Sequence, residues 1–334
     1  MSVFIMGVLA AFVVAYVMNG WLYSDRSPIK ALDIPNHRSM HTTPVARTGG
    51  IGLLCGIAFG WSIVLPYDSF AELSWLVAGM ILIAAVSLWD DIRTLPASVR
   101  LLVHLLAAGM LVVGWGNAEL TTWEMFLTVL LVVWMLNLFN FMDGMDGLAG
   151  SMAVIGFGVL GYAGWLAEDW VFAWSCWVIT GAVLGFLRYN LPPAKIFMGD
   201  VGSASLGFLV AAFSLHGFSK GLFPLWYPVL AFSPFIVDAT VTLIRRALRG
   251  EAIWHSHKEH YYQRLVECGL SKRCVLLTEL GLMLVAGFSA VFLQQYPAFQ
   301  FEGLLTWAVL LIVLMVIAEV RYKRFVARYK CQTE

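Results

Sequence analysis

Apolar residues in this chain come in long unbroken runs, with polar residues gathered in the short stretches between them. About 20 apolar residues in helical conformation cross a hydrocarbon core roughly 30 Å thick. Continuous runs, rather than period-two alternation, favour helices over a β-barrel. Eleven spans are predicted, at about 3–23, 49–66, 72–89, 99–116, 120–139, 150–167, 170–187, 203–217, 222–244, 274–295 and 303–320, the one at 203–217 being the shortest. The first has no basic segment before it and no small-residue cleavage site after it, so it is expected to be a retained helix and not a signal peptide.

Composition agrees. Of 334 residues, 60% are hydrophobic and 13% charged, and the mean hydropathy is +0.80; a soluble domain carries about twice that charged fraction. The predicted fold class is all-α, a polytopic integral membrane protein with about 11 transmembrane helices. One transmembrane domain over residues 1–334 is expected, with no separate soluble domain, linker or repeat.

Charge sets the orientation. With the N-terminus outside, 20 of the 21 Lys and Arg residues fall in inward loops and only Lys220 lies outside, as the positive-inside rule requires. The C-terminus is then cytoplasmic. Topology already explains the basic residues, so no nucleic-acid role follows. Cysteines at 55, 176, 268, 274 and 331 show no CxxC spacing, and neither a disulfide nor a zinc site is expected.

The outward loops are short and plain, so function is sought on the inward face. There Asp90, Asp91, Asp143, Asp146 and Asp200 sit near helix ends, against the basic bias of these loops. Carboxylates gathered at a membrane boundary repel one another unless a cation compensates. Asp and Asn oxygens suit Mg²⁺ or Mn²⁺, and Mg²⁺ is usually held by one or two carboxylates plus substrate phosphates. The ligand chemistry points to a phosphorylated substrate.

Each motif also has a plainer reading. The Asp90-Asp91 pair alone reads as a solvated loop start or a helix cap. In "MDGMDG" the spacing of three would put Asp143 and Asp146 on one helical face; the alternative is a turn that ends one helix and caps the next. Asn137 and Asn140 are also candidates for bridging helices. Asp200, between Gly199 and Gly202, suits a metal beside a helix start that binds anions; capping by Asp200 or Ser203 is compatible with this. Phe197 is a candidate to stack on a base, or is simply core. "HSHKEHYYQRL" gathers His255, His257 and His260 with Lys258 and Arg264, better suited to neutralising phosphate charge than to holding zinc. Arg245, Arg246 and Arg249 read as lipid-facing positive charge. Asp238, Thr242 and Arg245, at helical spacing, read as an intrahelical pairing.

Taken in order, "RSMHTTPVARTGG", "WDD", "NLFNFMDGMDGLAG", "FMGDVGS" and "HKEHYYQRL" resemble the signature loops of the polyprenyl-phosphate N-acetylhexosamine-1-phosphate transferases (glycosyltransferase family 4), over about residues 33–265. The resemblance implies a Mg²⁺-dependent enzyme of the bacterial inner membrane with a cytoplasmic active site. Such enzymes transfer a sugar 1-phosphate from a UDP-sugar to undecaprenyl phosphate and release UMP. By motif match Asp200 would be the metal ligand, and Asp90 and Asp91 the catalytic pair. His257 and His260 would be catalytic in the histidine loop. Asn140, Asp143, Asp146, Phe197, Arg47 and Arg264 would bind substrate, with Phe197 against the uracil. The spacing His257-Lys-Glu-His260 resembles the O-antigen-initiating branch, whose donors include UDP-N-acetylfucosamine and UDP-N-acetylquinovosamine. Ala46 and Thr48 depart from the family's usual proline and glycine.

The lipid phosphate, whose second pKa is about 6, is largely a dianion at neutral pH and needs no strong base. Direct attack on the β-phosphorus is therefore expected; a covalent intermediate on Asp90 or Asp91 is the alternative. A transporter of anionic solutes is the competing class, but the acids cluster at one face, not at mid-membrane. Motif types do not name the sugar. They leave open a homodimer and which of Asp143 and Asp146 faces the metal.

Overall fold

The structure is a computed structural model that describes residues 1–29, 31–35, 42–66, 69–115, 120–252 and 257–333, without the side chains of 69–72, 115 and 329–333. Lys30, Arg38, His41 and His255 lie outside the described residues. The fold is all-α and polytopic, as predicted, and the chain packs into two compact units, Met1–Pro228 and Val229–Glu334.

The first unit contains α1 (Ser2–Tyr23), α2 (Gly49–Val64), α3 (Ser69–Ile92), α4 (Ala97–Trp115), α5 (Thr122–Met142), α6 (Leu148–Leu166), α7 (Trp170–Asn190) and α8 (Gly199–Ser219). Helix α1 packs on α2 and α7, α6 on α7, and α3 and α5 on α8. The loop after α1 forms a two-residue antiparallel pair, β1 (Leu32–Asp33) with β2 (Val45–Ala46). Ala46 also bridges to Ile196, so the residue that departs from the family pattern sits in a regular ladder.

Helix α9 (Trp226–Ala231) leads into the second unit, which holds α10 (Ser233–Leu248), α11 (Tyr261–Glu267), α12 (Lys272–Gln295) and α13 (Gln300–Thr333). Every predicted span overlaps a helix. Nine helices among the described residues are long and apolar enough to cross a membrane, and α2 is shorter, at 16 residues. The span predicted at 222–244 is not continuous: it breaks at Phe232 into α9 and α10. Pro234 lacks the N–H that a continuous helix would donate to Leu230 O across that point.

The shortest predicted span proves to be a full helix, α8, of 21 residues. It is the most enclosed of the membrane-length helices, and it takes protein, not lipid, as its surroundings. Small residues rather than large apolar ones therefore decide its packing. A Cβ on Gly50 of α2 would lie 2.2 Å from the amide nitrogen of Gly202 in α8, so the two helix starts meet only because both residues are glycine.

Candidate active site

Helices α3 and α5 end where α8 begins, and this brings together most of the acids picked out in the sequence. Asp90 and Asp91 occupy the last turn of α3, Asn140 the last turn of α5, and Asp200 the first turn of α8. Asn140 Nδ2 donates to Asp200 Oδ1 at 2.9 Å and to Ser203 Oγ at 3.1 Å. Arg100, at the start of α4, donates from one Nη1 to Asp90 Oδ2 at 2.8 Å and to Asp200 Oδ2 at 3.3 Å. Asp90 Oδ1 accepts the Leu95 N–H at 2.6 Å. Asp91 is only 4% exposed, so the solvated-loop reading fails for it. Its Oδ1 lies 3.5 Å from Arg47 Nε, and Arg47 also donates to its backbone carbonyl at 3.1 Å.

Backbone strapping fixes this end of the unit. Phe197 N–H donates to Ala46 O at 2.7 Å, and the Gly49 and Gly50 amides donate to Phe197 O and Met198 O at 2.9 and 2.8 Å. Phe197 itself is half-buried. Gly199 has φ +68°, and a Cβ there would stand 2.4 Å from Arg47 O and 2.8 Å from Asp91 Oδ2. Only glycine supplies that conformation and that clearance. Asn190 ties two loops together, accepting the Gly147 N–H at 3.0 Å and donating to Ile196 O at 3.0 Å.

The placement of Asp143 and Asp146 corrects one expectation. They do not share a helical face: Asp143 caps the end of α5, and Asp146 lies in the turn before α6, whose start needs Gly147 at φ +78°. The turn reading holds for the end of α5, but neither aspartate caps α6, whose N-cap is Gly147 with no side-chain hydrogen bond. Asp146 Oδ2 accepts the Ala194 N–H at 3.1 Å. Asp143, by contrast, has no hydrogen-bond or ion-pair partner for its carboxylate among the described residues. It is half-buried by surface yet densely enclosed by protein. Burial, with Asp200, Asp91 and Asp146 nearby, pushes its pKa well above the usual carboxylate value. Asn137 turns back on its own helix, donating to Val133 O at 2.7 Å, so of the two asparagines only Asn140 bridges helices.

Among the described residues no three His, Cys, Asp or Glu side chains converge into a ready cation cage. Mg²⁺ does not require one, since one or two carboxylates with substrate phosphates and water suffice. A partnerless carboxylate beside Asp200, whose ligand atoms are hard oxygens, fits a hard divalent ion.

In the second unit Asp238 does pair with Thr242, whose Oγ1 lies 3.2 Å from Oδ1, but Arg245 turns instead to Glu319 at 2.9 Å. Asp238 also receives the Tyr261 N–H at 3.0 Å and lies 3.2 Å from His260 Nδ1. His260 is 2% and Arg264 4% exposed. Arg264 pairs with Glu259 and Glu319 at 2.9 and 2.8 Å and lies over the Tyr322 ring. His257 is half-buried. Arg246 of α10 and Arg249 just beyond it are likewise engaged, Arg246 with Glu251 and Arg249 with Glu251 and Glu259.

Sequence reasoning missed Arg100, Ser203 and Asn190 as site residues. Arg100 was visible only as one more positive charge at an inner helix start, and Asn190 only as a polar residue at a helix end.

Comparison with known proteins supplies the context for this geometry. Residues 73–218 match the model of Glycosyl transferase family 4. The chain is 32% identical over 324 residues to a probable undecaprenyl-phosphate N-acetylglucosaminyl 1-phosphate transferase of Bacillus subtilis strain 168, covering 90% of this chain and 89% of that protein. It is 27% identical over 306 residues to the undecaprenyl-phosphate α-N-acetylglucosaminyl 1-phosphate transferase of Escherichia coli K12, covering 85% and 81%. To the decaprenyl-phosphate N-acetylglucosaminephosphotransferase of Mycobacterium tuberculosis H37Rv it is 29% identical over 321 residues, covering 80% and 77%. A 32% identity sustained along nine-tenths of both chains, with the acidic helix ends inside the matched family region, means that this chain belongs to the polyprenyl-phosphate N-acetylhexosamine-1-phosphate transferases.

Proposed function

We propose that the protein transfers an N-acetylhexosamine 1-phosphate from a UDP-sugar to undecaprenyl phosphate, releasing UMP, at the acidic end of its first unit. The observation that carries this is the meeting of Asp90, Asp91, Asn140 and Asp200 at three helix ends, with Asp143 beside them and unpartnered. Asp200 and Asp143 would hold Mg²⁺, which when bound neutralises charge on the diphosphate and the departing UMP. Asp146 then belongs on the nucleoside side, and Phe197 is the uracil platform.

Bringing two anions together is the main barrier, and the chain's own part is to position and neutralise them. Arg47 and Arg100 supply the cations at this end, and direct attack of the lipid phosphate on the β-phosphorus is our reading. The partners already held by Asp90, Leu95 N–H and Arg100, favour a positioning role for it over attack on phosphorus. Trapping a covalent sugar-phosphate adduct on Asp90 or Asp91 without lipid acceptor would overturn that.

The acidic end faces the cytoplasm of a bacterial inner membrane on this reading, supported by the placement of 20 of 21 basic residues. Labelling of single cysteines by an impermeant reagent tests it; a reporter cysteine at Lys195 that labels from outside intact cells refutes it. The names of the relatives make UDP-N-acetylglucosamine the first donor to test, with the N-acetylfucosamine and N-acetylquinovosamine donors next, and initiation of O-antigen or a related envelope polysaccharide the setting. Purified protein is expected to release UMP from one of these donors only when undecaprenyl phosphate and Mg²⁺ are present. No release across the donor panel would sink the proposal.

A further inference from the structure

Within the first unit, helices α4, α5 and α8 enclose a cavity of about 310 Å³ at the end away from the acids. Buried Leu111, Val112 and Ala212 form its floor, and Leu127, Leu131 and Phe218, 41% to 48% exposed, form its outer wall. Exposed apolar side chains on membrane-length helices face hydrocarbon, so the cavity opens sideways into the bilayer. Its volume falls at the small end of ligand pockets and equals about ten waters of liquid. That is too large for a packing defect. A wall with so few polar atoms offers water little to bond to, and a hydrocarbon chain is the fitting occupant.

Position decides which lipid. Helices α5 and α8 have 21 residues each, about 30 Å of helix, which matches a hydrocarbon core. Asn140 and Asp200 stand at one end of this pair. The polar rim of the cavity stands at the other, with Glu124 in the first turn of α5 and Ser219 at the last position of α8. A lipid acceptor with its phosphate at the acids has its head a full membrane thickness from this rim. The head group that meets the rim therefore belongs to a second lipid, in the opposite leaflet.

Charge at the rim selects the head group. Glu124 Oε2 accepts the Thr121 N–H at 2.8 Å and the Thr121 hydroxyl at 2.7 Å, while Oε1 has no hydrogen-bond partner among the described residues. Lys220, next to Ser219, is taken by Asp169 at 3.3 Å. Glu124 is thus a fixed carboxylate without a cation among the described residues. A carboxylate only accepts, so it favours a head that ends in an ammonium N–H and repels an anionic one.

We propose that this cavity is a lipid-binding site that seats one acyl chain of a phosphatidylethanolamine in the leaflet opposite the acids, with the lipid ammonium against Glu124. Setting the acceptor aside rests on the transferase reading above. The test reads lipid binding alone, so its outcome is separate from whether UMP is released.

Native mass spectrometry of the full-length protein in detergent, titrated with phosphatidylethanolamine, phosphatidylcholine and phosphatidylglycerol of matched chains, measures the site directly. The wild type is expected to hold phosphatidylethanolamine about two- to fivefold more tightly than the other two, the scale of an exposed charged pair. Glu124→Gln keeps an oxygen for Thr121 and should retain the lipid but lose the preference. Leu127→Trp places an indole in the mouth and should retain one lipid fewer. Equal affinity of the wild type for all three phospholipids overturns the proposal, and needs no variant to fold. A preference that survives Glu124→Gln, or an unchanged lipid count in Leu127→Trp, also overturns it. Displacement of the bound phospholipid by equimolar undecaprenyl phosphate would give the cavity to the acceptor and contradict the assignment.

Discussion

The acidic end of the first unit and the basic cluster of the second treat charge in opposite ways. In the second unit Arg245, Arg246, Arg249 and Arg264 each meet a carboxylate from Glu251, Glu259 or Glu319. In the first, the carboxylates of Asp90, Asp91 and Asp200 share Arg47 and Arg100, while Asp143 meets no cation among the described residues. Balanced ion pairs are the mark of a scaffold. An acidic cluster short of positive charge costs stability unless something else arrives to complete it.

The largest expected effect comes from removing one of those acids where it serves the reaction. Asp200→Asn keeps the contact with Asn140 but weakens a hard-cation ligand, and UMP release should fall about a thousandfold, the several kcal/mol that metal charge stabilisation contributes. A loss under about threefold would remove Asp200 from the metal role. Next is Arg100→Gln, which strips the cation shared by Asp90 and Asp200. Its side chain is about a third exposed, so the pairs are partly screened, and the metal-free protein should lose about 1–2 kcal/mol in denaturant or thermal unfolding. Added divalent ion should recover much of that loss.

Glu319→Gln tests the balanced side. It deprives the buried Arg264 of one partner and leaves Glu259 in place. Stability is expected to drop by about 1 kcal/mol with UMP release per folded molecule nearly unchanged. A collapse of kcat without loss of stability would show that this cluster is more than scaffold.

The smallest effect is a pH signature. Because the pKa of Asp143 is raised in the folded state, the folded protein binds that proton more tightly than the unfolded chain. The associated stability is full below the ordinary value of 3.8 and is lost as pH rises through the raised folded pKa. Metal-free protein should therefore gain stability on mild acidification from neutral pH. Asp143→Asn should be more stable than wild type at neutral pH without metal, and should lose the gain on acidification. Identical pH profiles for the two would show that Asp143 is not in strained company.

Much of this molecule was legible in the sequence, for reasons that differ by region. The spans were readable because a membrane helix must satisfy its backbone internally and face lipid with apolar side chains. That logic weakened for α8, which faces protein and reads as small and mixed, and for the span that prolines break at Phe232. The acids were readable because carboxylates on a basic face are anomalous. Arg100 was not, because a lone arginine at an inner helix start looks like ordinary topology; its reach to two aspartates is a tertiary fact. The different settings of Asp143 and Asp146 depend on a left-handed Gly147 and on the amide of Ala194, neither of which spacing reveals. His260 was legible only in part for the same reason: its contact with Asp238, 22 residues away, is a tertiary fact.

The central claim is that the uncompensated acids complete a divalent-cation site. Titration of Mn²⁺ into metal-free protein in the presence of UMP, followed by the loss of the free-ion magnetic resonance signal, tests it most directly. The account predicts saturable uptake of a single ion per chain, abolished in Asp200→Asn and weakened in Asp143→Asn. Uptake that is absent from the wild type, or that survives unchanged in both variants, would contradict it.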